Sequence, residues 1–339
     1  MRVLVILNAK AGTLVSSAEK DQATRIRDRF ATHGVEAEVR DVPGPELLRT
    51  TTEARNSGRY QLIVAGGGDG TLNTIAGALV GGDVPFGVLP LGTFNHLAKE
   101  LAIPLELDAA VDALALGSDH PFNVGEVNGQ VFLLFAAIGI YSDMIKHRDA
   151  QRAALGRKKM WAGTIAFFKM LDRWPLLRVT LRDFEPSIGR HSITRLTTVA
   201  YVSLSGFQME QMGLADAPMR SARTALTVLV STHLSRMGLL WVIAKGMLGR
   251  ARVREDMEEI RCDALTLVPH GRSVIRVGYD GEVATMETPL KLRVIRGGLK
   301  MRVPAAAPAS VVTPAAVTPG IATPGVSASD LTSAAAPRA

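Results

Sequence analysis

The sequence predicts an α/β fold in two parts: a parallel N-terminal sheet with helices, followed by a mostly β, sandwich-like part carrying helical inserts. Three observations predict it. Strand-length apolar runs alternate with helical stretches through residues 1–120, the pattern of a parallel α/β sheet. After about residue 120, short β-rich runs take over, several with period-two alternation, as a two-layer antiparallel structure requires. From Pro304 onward Ala, Pro, Ser and Thr dominate, a composition that buries too little apolar area to offset its ordering entropy. The expected organisation is an α/β domain over 1–120, a mostly β domain over 121–303 whose last strands could return to the first, and a disordered tail over 304–339.

The elements follow in order. Val3 to Leu7 is a continuous apolar strand, and the turn-forming Asn8-Ala9-Lys10-Ala11-Gly12 follows it. Ser17 to Thr32 is a helix with Ala18, Ala23, Ile26 and Phe30 on one broad face. Val35 to Val39 alternates as a second strand, Pro45 to Ser57 forms a helix, and Gln61 to Ala65 is a third strand. Gly66 to Gly70 breaks the chain before a helix over Leu72 to Leu79. Val84 to Leu89 is a fourth strand and Asn95 to Leu101 opens a fourth helix. Beyond 120 the β runs are Val131 to Ile138, Leu176 to Leu181, Arg195 to Ser203, Ala225 to Ser231, Ala264 to Val268, Val274 to Val277 and Leu290 to Ile295. Helical inserts interrupt them at about Ile145 to Trp174 and Arg236 to Lys245.

Composition narrows the function classes. At 339 residues the chain can form two domains with full cores. A net charge of +7 makes an anionic partner plausible, among them nucleotide phosphates, nucleic acid and acidic membrane. Cys262 is the sole cysteine, which excludes an internal disulfide and a multi-cysteine metal site; it reads as a buried bystander. The first apolar run is too short for a signal peptide. Val131 to Tyr141 and Met237 to Ala244 fall short of the ~20 residues of a membrane span. Cytoplasmic residence is the default expectation. The histidines show no metal-ligand spacing.

Two glycine turns carry the sharpest signal. Gly66-Gly67-Gly68-Asp69-Gly70-Thr71 lies between an apolar strand and a helix. Glycines let backbone approach a ligand closely, and amides opening the next helix suit a phosphate. Asp69 sits where ligands bind in open α/β sheets. The pattern is neither a P-loop nor a Rossmann fingerprint; the bland alternative is a simple glycine turn. Pro90-Leu91-Gly92-Thr93-Phe94-Asn95 is a second polar turn on the same sheet edge, with Asn95 placed to cap the next helix.

Together these residues resemble the catalytic domain shared by diacylglycerol kinases, sphingosine kinases and bacterial lipid kinases. That family opens with Asn-Pro-x-x-Gly, here Asn8 to Gly12, and continues with Gly-Gly-Asp-Gly-Thr, here Gly67 to Thr71. Pro-x-Gly-Thr-x-Asn follows, here Pro90 to Asn95, and then a late Asp-Gly-Glu, here Asp280-Gly281-Glu282. The resemblance implies an ATP-dependent kinase acting on a lipid alcohol. ATP would be held by Asn8, Gly66, Gly67, Gly68, Asp69, Gly70, Thr71, Thr93 and Asn95. Glu282 would take the proton of the lipid hydroxyl, a role suited to a carboxylate partly withdrawn from water. Asp69 and Asp280 would hold Mg²⁺. Taken by itself, Tyr279 to Glu282 reads as a hairpin, since Asp-Gly between β runs is a strong hairpin signal.

The chain departs from the family pattern at Ala9 (usually Pro) and at His96 (commonly Asp). Ala222 to Leu226 has no carboxylate where many bacterial relatives place a structural metal ligand. Two basic runs, Lys146 to Lys159 and Lys245 to Arg254, lie beside Trp, Phe and Leu residues. They suit an interfacial helix on an anionic membrane, or equally a core-packed helix with a solvated flank. Nucleic acid is not expected as a partner, because no stacking platform accompanies the charge; a homodimer stays open. The rivals to a lipid kinase are a soluble-substrate kinase of the NAD kinase type and a non-catalytic lipid- or nucleotide-binding relative.

Overall fold

The computed structural model describes residues 1–9, 17–93, 95–140, 142, 176–184, 191–205, 224–231 and 257–305. Both expected helical inserts, both basic runs, positions 10–12 of the first motif, position 94 of the second and the tail beyond 305 lie outside the described residues.

The N-terminal part begins with β1 (Arg2–Ala9), α1 (Ser17–Thr32), β2 (Glu36–Pro43), a 3-10 turn (Gly44–Glu46), α2 (Leu47–Asn56) and β3 (Leu62–Gly66). It goes on through α3 (Asp69–Leu79), β4 (Phe86–Leu89), α4 (His96–Glu100), α5 (Leu107–Ala115) and β5 (Ser118–Val127). Strands β2, β1, β3 and β4 lie side by side in that order, all parallel. Val3 to Leu7 and Leu62 to Gly66 are wholly buried, which is why they read as unbroken apolar runs: helices cover a parallel sheet on both faces. Helix α1 inserts Ile26 and Phe30, one turn apart, into this core and packs against α5, while α2 packs against α3. Edge strand β2 carries Glu36, Glu38, Arg40 and Asp41, charges that discourage pairing with another chain.

The rest of the chain forms β6 (Gln130–Phe132), β7 (Phe135–Gly139), β8 (Leu177–Phe184), β9 (His191–Thr197), β10 (Val199–Ser203) and β11 (Leu226–Ser231). The last strands are β12 (Met257–Cys262), β13 (Ala264–Pro269), β14 (Val274–Tyr279), β15 (Glu282–Glu287) and β16 (Leu290–Val303). Strands β12, β11, β10, β7, β14 and β15 make a second, antiparallel sheet. Strands β8, β9, β13 and β16 extend the first sheet. The two sheets close on a shared core in which Leu181, Leu267 and Leu292 of the first meet Ile138, Val202 and Val228 of the second. The molecule is thus a mixed α/β fold, one sheet partly parallel and the other antiparallel, as the sequence predicts.

Strand β16 joins the two parts. It runs antiparallel to β5 over most of its length, pairs with β13 at its start and meets β4 in parallel register at Met301–Phe86. Leu299, Met301 and Val303 belong to the N-terminal core.

Several boundaries differ from the sequence expectation. The single run Val131 to Ile138 divides at Leu133–Leu134, where the chain leaves the first sheet for the second. Arg195 to Ser203 divides likewise at Thr198, with the Thr197 hydroxyl donating to the Val199 and Ser231 carbonyls at the corner. Residue pattern cannot reveal such a sheet switch, because β7 and β10 are buried along their whole length and run on from the residues before them. Helix α3 starts at Asp69, inside the expected break. The sequence pattern does not predict helix α5 or strands β5, β12 and β15; β5 opens on the polar Ser118-Asp119-His120-Pro121, and β15 is an edge strand with exposed Glu282 and Glu287 at its ends.

Candidate active site

Strands β3 and β4 end level, with Gly66 beside Leu89, and β1 runs on to Ala9 past Leu7, which lies beside Gly66. The crossover through α1 carries the chain from β1 to β2, and the one through α2 carries it back across β1 to β3. Strand order therefore reverses between β1 and β3, the switch point at whose carboxyl edge open α/β sheets hold ligands. Asn8 and Gly66 to Thr71 both lie there. Asn8 Nδ2 donates to Thr71 Oγ1 at 2.7 Å, tying the end of β1 to the first turn of α3.

Gly68 precedes α3 and supplies no side-chain cap; it is exposed, with nothing within 4 Å of where a Cβ would stand. Asp69 opens the helix, half-buried. The second glycine turn presses against the first. A Cβ on Gly92 would lie 2.9 Å from the Gly67 carbonyl oxygen and 3.1 Å from Gly68 Cα, so only glycine permits this approach. Asn95 staples the turn: its Oδ1 accepts from Gly92 N at 2.8 Å and its Nδ2 donates to the Pro90 carbonyl at 3.1 Å. The expected cap on α4 is not made, because this left-handed residue (φ 51°) turns its side chain back onto the loop. Thr93 is exposed at the loop's tip.

The late Asp-Gly-Glu arrives from the second sheet. Tyr279 and Glu282 pair as the last rung of the β14–β15 hairpin. Asp280 (φ 43°) and Gly281 (φ 88°) form its two-residue turn, both left-handed as a type I′ hairpin turn demands. The hairpin and site readings hold together, since the turn lies on the N-terminal loop. A Cβ on Gly281 would be 4.0 Å from Asp69 Oδ2, and one on Gly70 only 2.0 Å from Glu282 Oε1. Glu282 is exposed, which corrects the expectation of a carboxylate withdrawn from water.

Asp280 is the withdrawn one, at 3% exposure. Its Oδ1 accepts from Leu134 N at 2.9 Å and Phe135 N at 3.0 Å, and its Oδ2 accepts from Leu133 N. Burial pushes its carboxyl up to about 6; the three amides oppose the rise and the charge of Asp69 adds to it. Both oxygens face backbone N–H groups inside the core, so the structure does not favour the expected metal role of Asp280. Asp69 keeps that candidacy. Among the described residues no three His, Cys, Asp or Glu side chains gather as a metal site. Burial also pushes the Cys262 thiol up to about 12, leaving it an inert core residue.

The structure thus brings Asn8, Gly66 to Thr71, Gly92, Asn95, Gly281 and Glu282 to one place, with Thr93 at its rim. Sequence reasoning missed Leu133, Leu134 and Phe135. They act through backbone N–H groups, which every residue but proline supplies, so no side-chain signal marks them.

The fold and site define a class: a two-part α/β protein with a glycine turn at its switch point and an acidic hairpin laid on that turn. Residues 2–127 match the family model of the diacylglycerol kinase catalytic domain. The chain is 34% identical to the "Probable lipid kinase YegS-like" protein of Citrobacter koseri, over 45% of this chain and 51% of that one. It is 33% identical to the diacylglycerol kinase of Bacillus subtilis, over 37% and 41% of the two chains. It therefore spans about half the length, or less, of the curated relatives it matches. A diacylglycerol kinase structure from Bacillus anthracis shares the fold over 90% of this chain and 98% of its own, at a TM-score of 0.63 and 16% identity.

Proposed function

We propose that this chain is an ATP-dependent lipid kinase, transferring the γ-phosphoryl of ATP to the hydroxyl of diacylglycerol or a related lipid alcohol. The observation that carries the reading is the convergence at the switch point: a helix opening without a side-chain cap, a second glycine turn against it, and the Glu282 carboxylate lying on Gly70. The family-model match of residues 2–127 and the names of the similar proteins support a lipid acceptor.

The residues present fit the nucleotide and its metal. The start of α3 carries a partial positive charge that attracts phosphate, and the open space over Gly68 leaves room for one. Asp69 at the same helix start repels phosphate unless a cation lies between them, so its carboxylate suits Mg²⁺ shared with phosphate oxygens. Mg²⁺, when bound, would offset charge on the phosphoryl group during transfer. Asn8 holds Thr71 and so fixes the first turn of α3. Asn95 holds Thr93 against the nucleotide side by closing its loop. Glu282, exposed and at the rim, accepts the hydroxyl proton as the lipid oxygen bonds to phosphorus and the bond to the ADP oxygen breaks.

The test is label transfer from radiolabelled ATP to a panel of lipid alcohols in mixed micelles, with wild type and Glu282→Gln. Wild type should label a lipid. Glu282→Gln should lose ~10²–10⁴-fold in kcat, with KM for ATP nearly kept. Transfer to a soluble acceptor such as NAD in place of lipid, or an unchanged kcat in Glu282→Gln, would overturn the reading.

A further inference from the structure

We infer that Asp280 is a positioning residue that suspends the Asp280–Gly281 turn, and with it Glu282, from the amides of Leu133, Leu134 and Phe135, and that it does not ligate the metal. Its catalytic consequence rests on the kinase reading above; its structural content does not.

Three features carry it. The turn is fixed at one point by four hydrogen bonds, for Asp280 N also donates to the Phe135 carbonyl at 3.2 Å. Leu133, Leu134 and Phe135 are themselves 2–3% exposed, at the bend where the chain passes from β6 to β7. That bend links the two sheets, so the clamp refers the hairpin tip to both of them. The residues beyond the clamp then contact the N-terminal loop: Gly281 faces Asp69, and Glu282 lies on Gly70.

The chemistry of the carboxylate argues against a ligand. A carboxylate offers about four acceptor sites, and three are taken by buried amides. Mg²⁺ requires oxygens at ~2.0–2.1 Å in near-octahedral order and sheds water reluctantly. Binding it here would strip amides of their acceptor inside the core.

Asp280→Asn separates the clamp from the turn. Asn-Gly is the preferred type I′ pair, so the hairpin keeps its turn chemistry. The new amide group, however, presents N–H to N–H at one of the two acceptor positions. Two measurements test the inference. In wild type, hydrogen exchange at residues 133–135 should be slow and unchanged by MgCl₂ with ADP; in Asp280→Asn it should quicken at least tenfold. In the kinase assay, Asp280→Asn should lose ~10²-fold in kcat, the effect of displacing a reacting group by about 1 Å, with KM for ATP and the Mg²⁺ half-saturation point within about twofold of wild type.

Faster exchange at 133–135 on adding Mg²⁺ and ADP would overturn the inference, because a ligating Asp280 must release those amides. So would an Asp280→Asn protein whose kcat returns at high Mg²⁺. A folded Asp280→Asn with wild-type kcat would show that the clamp does not position Glu282. Should Asp280→Asn not fold, the wild-type exchange arm decides alone. Should wild type label no lipid, the kinase reading falls while the exchange arm still decides the clamp.

Discussion

Replacing Gly70 by alanine should separate activity from stability. A methyl there would stand 2.0 Å from Glu282 Oε1, 2.8 Å from its Cδ and 3.2 Å from its Cγ. Carbon–oxygen contacts ordinarily fall at about 3.3–3.6 Å, so the carboxylate must retreat by on the order of 1 Å. Retreat is cheap, because Glu282 is exposed and its oxygen is the end of a flexible chain; an off-rotamer adjustment costs about 0.5–1.5 kcal/mol. Alanine in place of glycine within a helix returns up to about 1 kcal/mol. The two nearly cancel, and the melting temperature should move by no more than ~2–4 °C. Turnover should not be spared, since about 1 Å of displacement costs ~10²-fold when the displaced group is the base. Gly77→Ala supplies the control: Gly77 is an exposed residue of α3 with open space about it, so its variant should gain stability and keep full activity. Thermal melts and label transfer from ATP measure both quantities on the same preparations. Wild-type kcat in Gly70→Ala would refute the placement of Glu282 at the reacting hydroxyl. A fall in melting temperature well beyond ~4 °C would refute the contact itself.

Three further outcomes are expected. Asp69→Asn should abolish label transfer without lowering the melting temperature; near-normal activity would remove Asp69 from the metal site. Because the folded carboxyl of Asp280 titrates at about 6 against an ordinary 3.8, its protonated form is favoured by folding. Its contribution is fully present below about pH 4 and lost as pH rises through about 6, a span of about 3 kcal/mol. Urea melts should show wild type gaining stability between pH 7 and pH 5, and Asp280→Asn gaining less over that window; equal gains would assign the titration elsewhere. Finally, the basic runs within 146–159 and 245–254 should make binding depend on anionic vesicles and fall with salt, at ~1 kcal/mol per basic residue near the surface. Equal binding to neutral and acidic vesicles would reject membrane contact through these segments.

The legible parts of the fold are those whose signal is local. Gly66 to Thr71 and Pro90 to Asn95 announce themselves through turn chemistry, and Val3 to Leu7 through an unbroken apolar run of the kind a sheet covered on both faces produces. Helix α1 spans Ser17–Thr32 as the sequence predicts, because its apolar face recurs at helical spacing. What could not be read depends on partners distant in sequence. Strand β5 looks polar at its start, and its order comes from pairing with β16, more than 160 residues later. The division of 195–203 between two sheets follows from which strands each half pairs with, β8 for the first and β7 and β11 for the second. Within the site, Asp280 shows why residue type underdetermines role. An acid beside a glycine and a glutamate suggests a metal ligand or a hairpin turn. Only the positions of three amides, contributed by a bend some 145 residues earlier, decide what its oxygens do.

The path of β16 bears on how the protein is made. Residues 2–127 match the catalytic-domain model, yet that stretch holds β4 and β5, which flank β16, without β16 itself. When the ribosome has delivered β5, the edge of β4 and the inner faces of Phe86 and Phe122 still await Leu299, Met301 and Val303. The N-terminal sheet is completed only after residues 290–303 have been synthesised. Such long-range closure slows folding and leaves strand edges exposed in the interval. A fragment ending at Val127 should consequently aggregate when expressed alone, and recover solubility when a peptide spanning Leu290–Val303 is supplied with it.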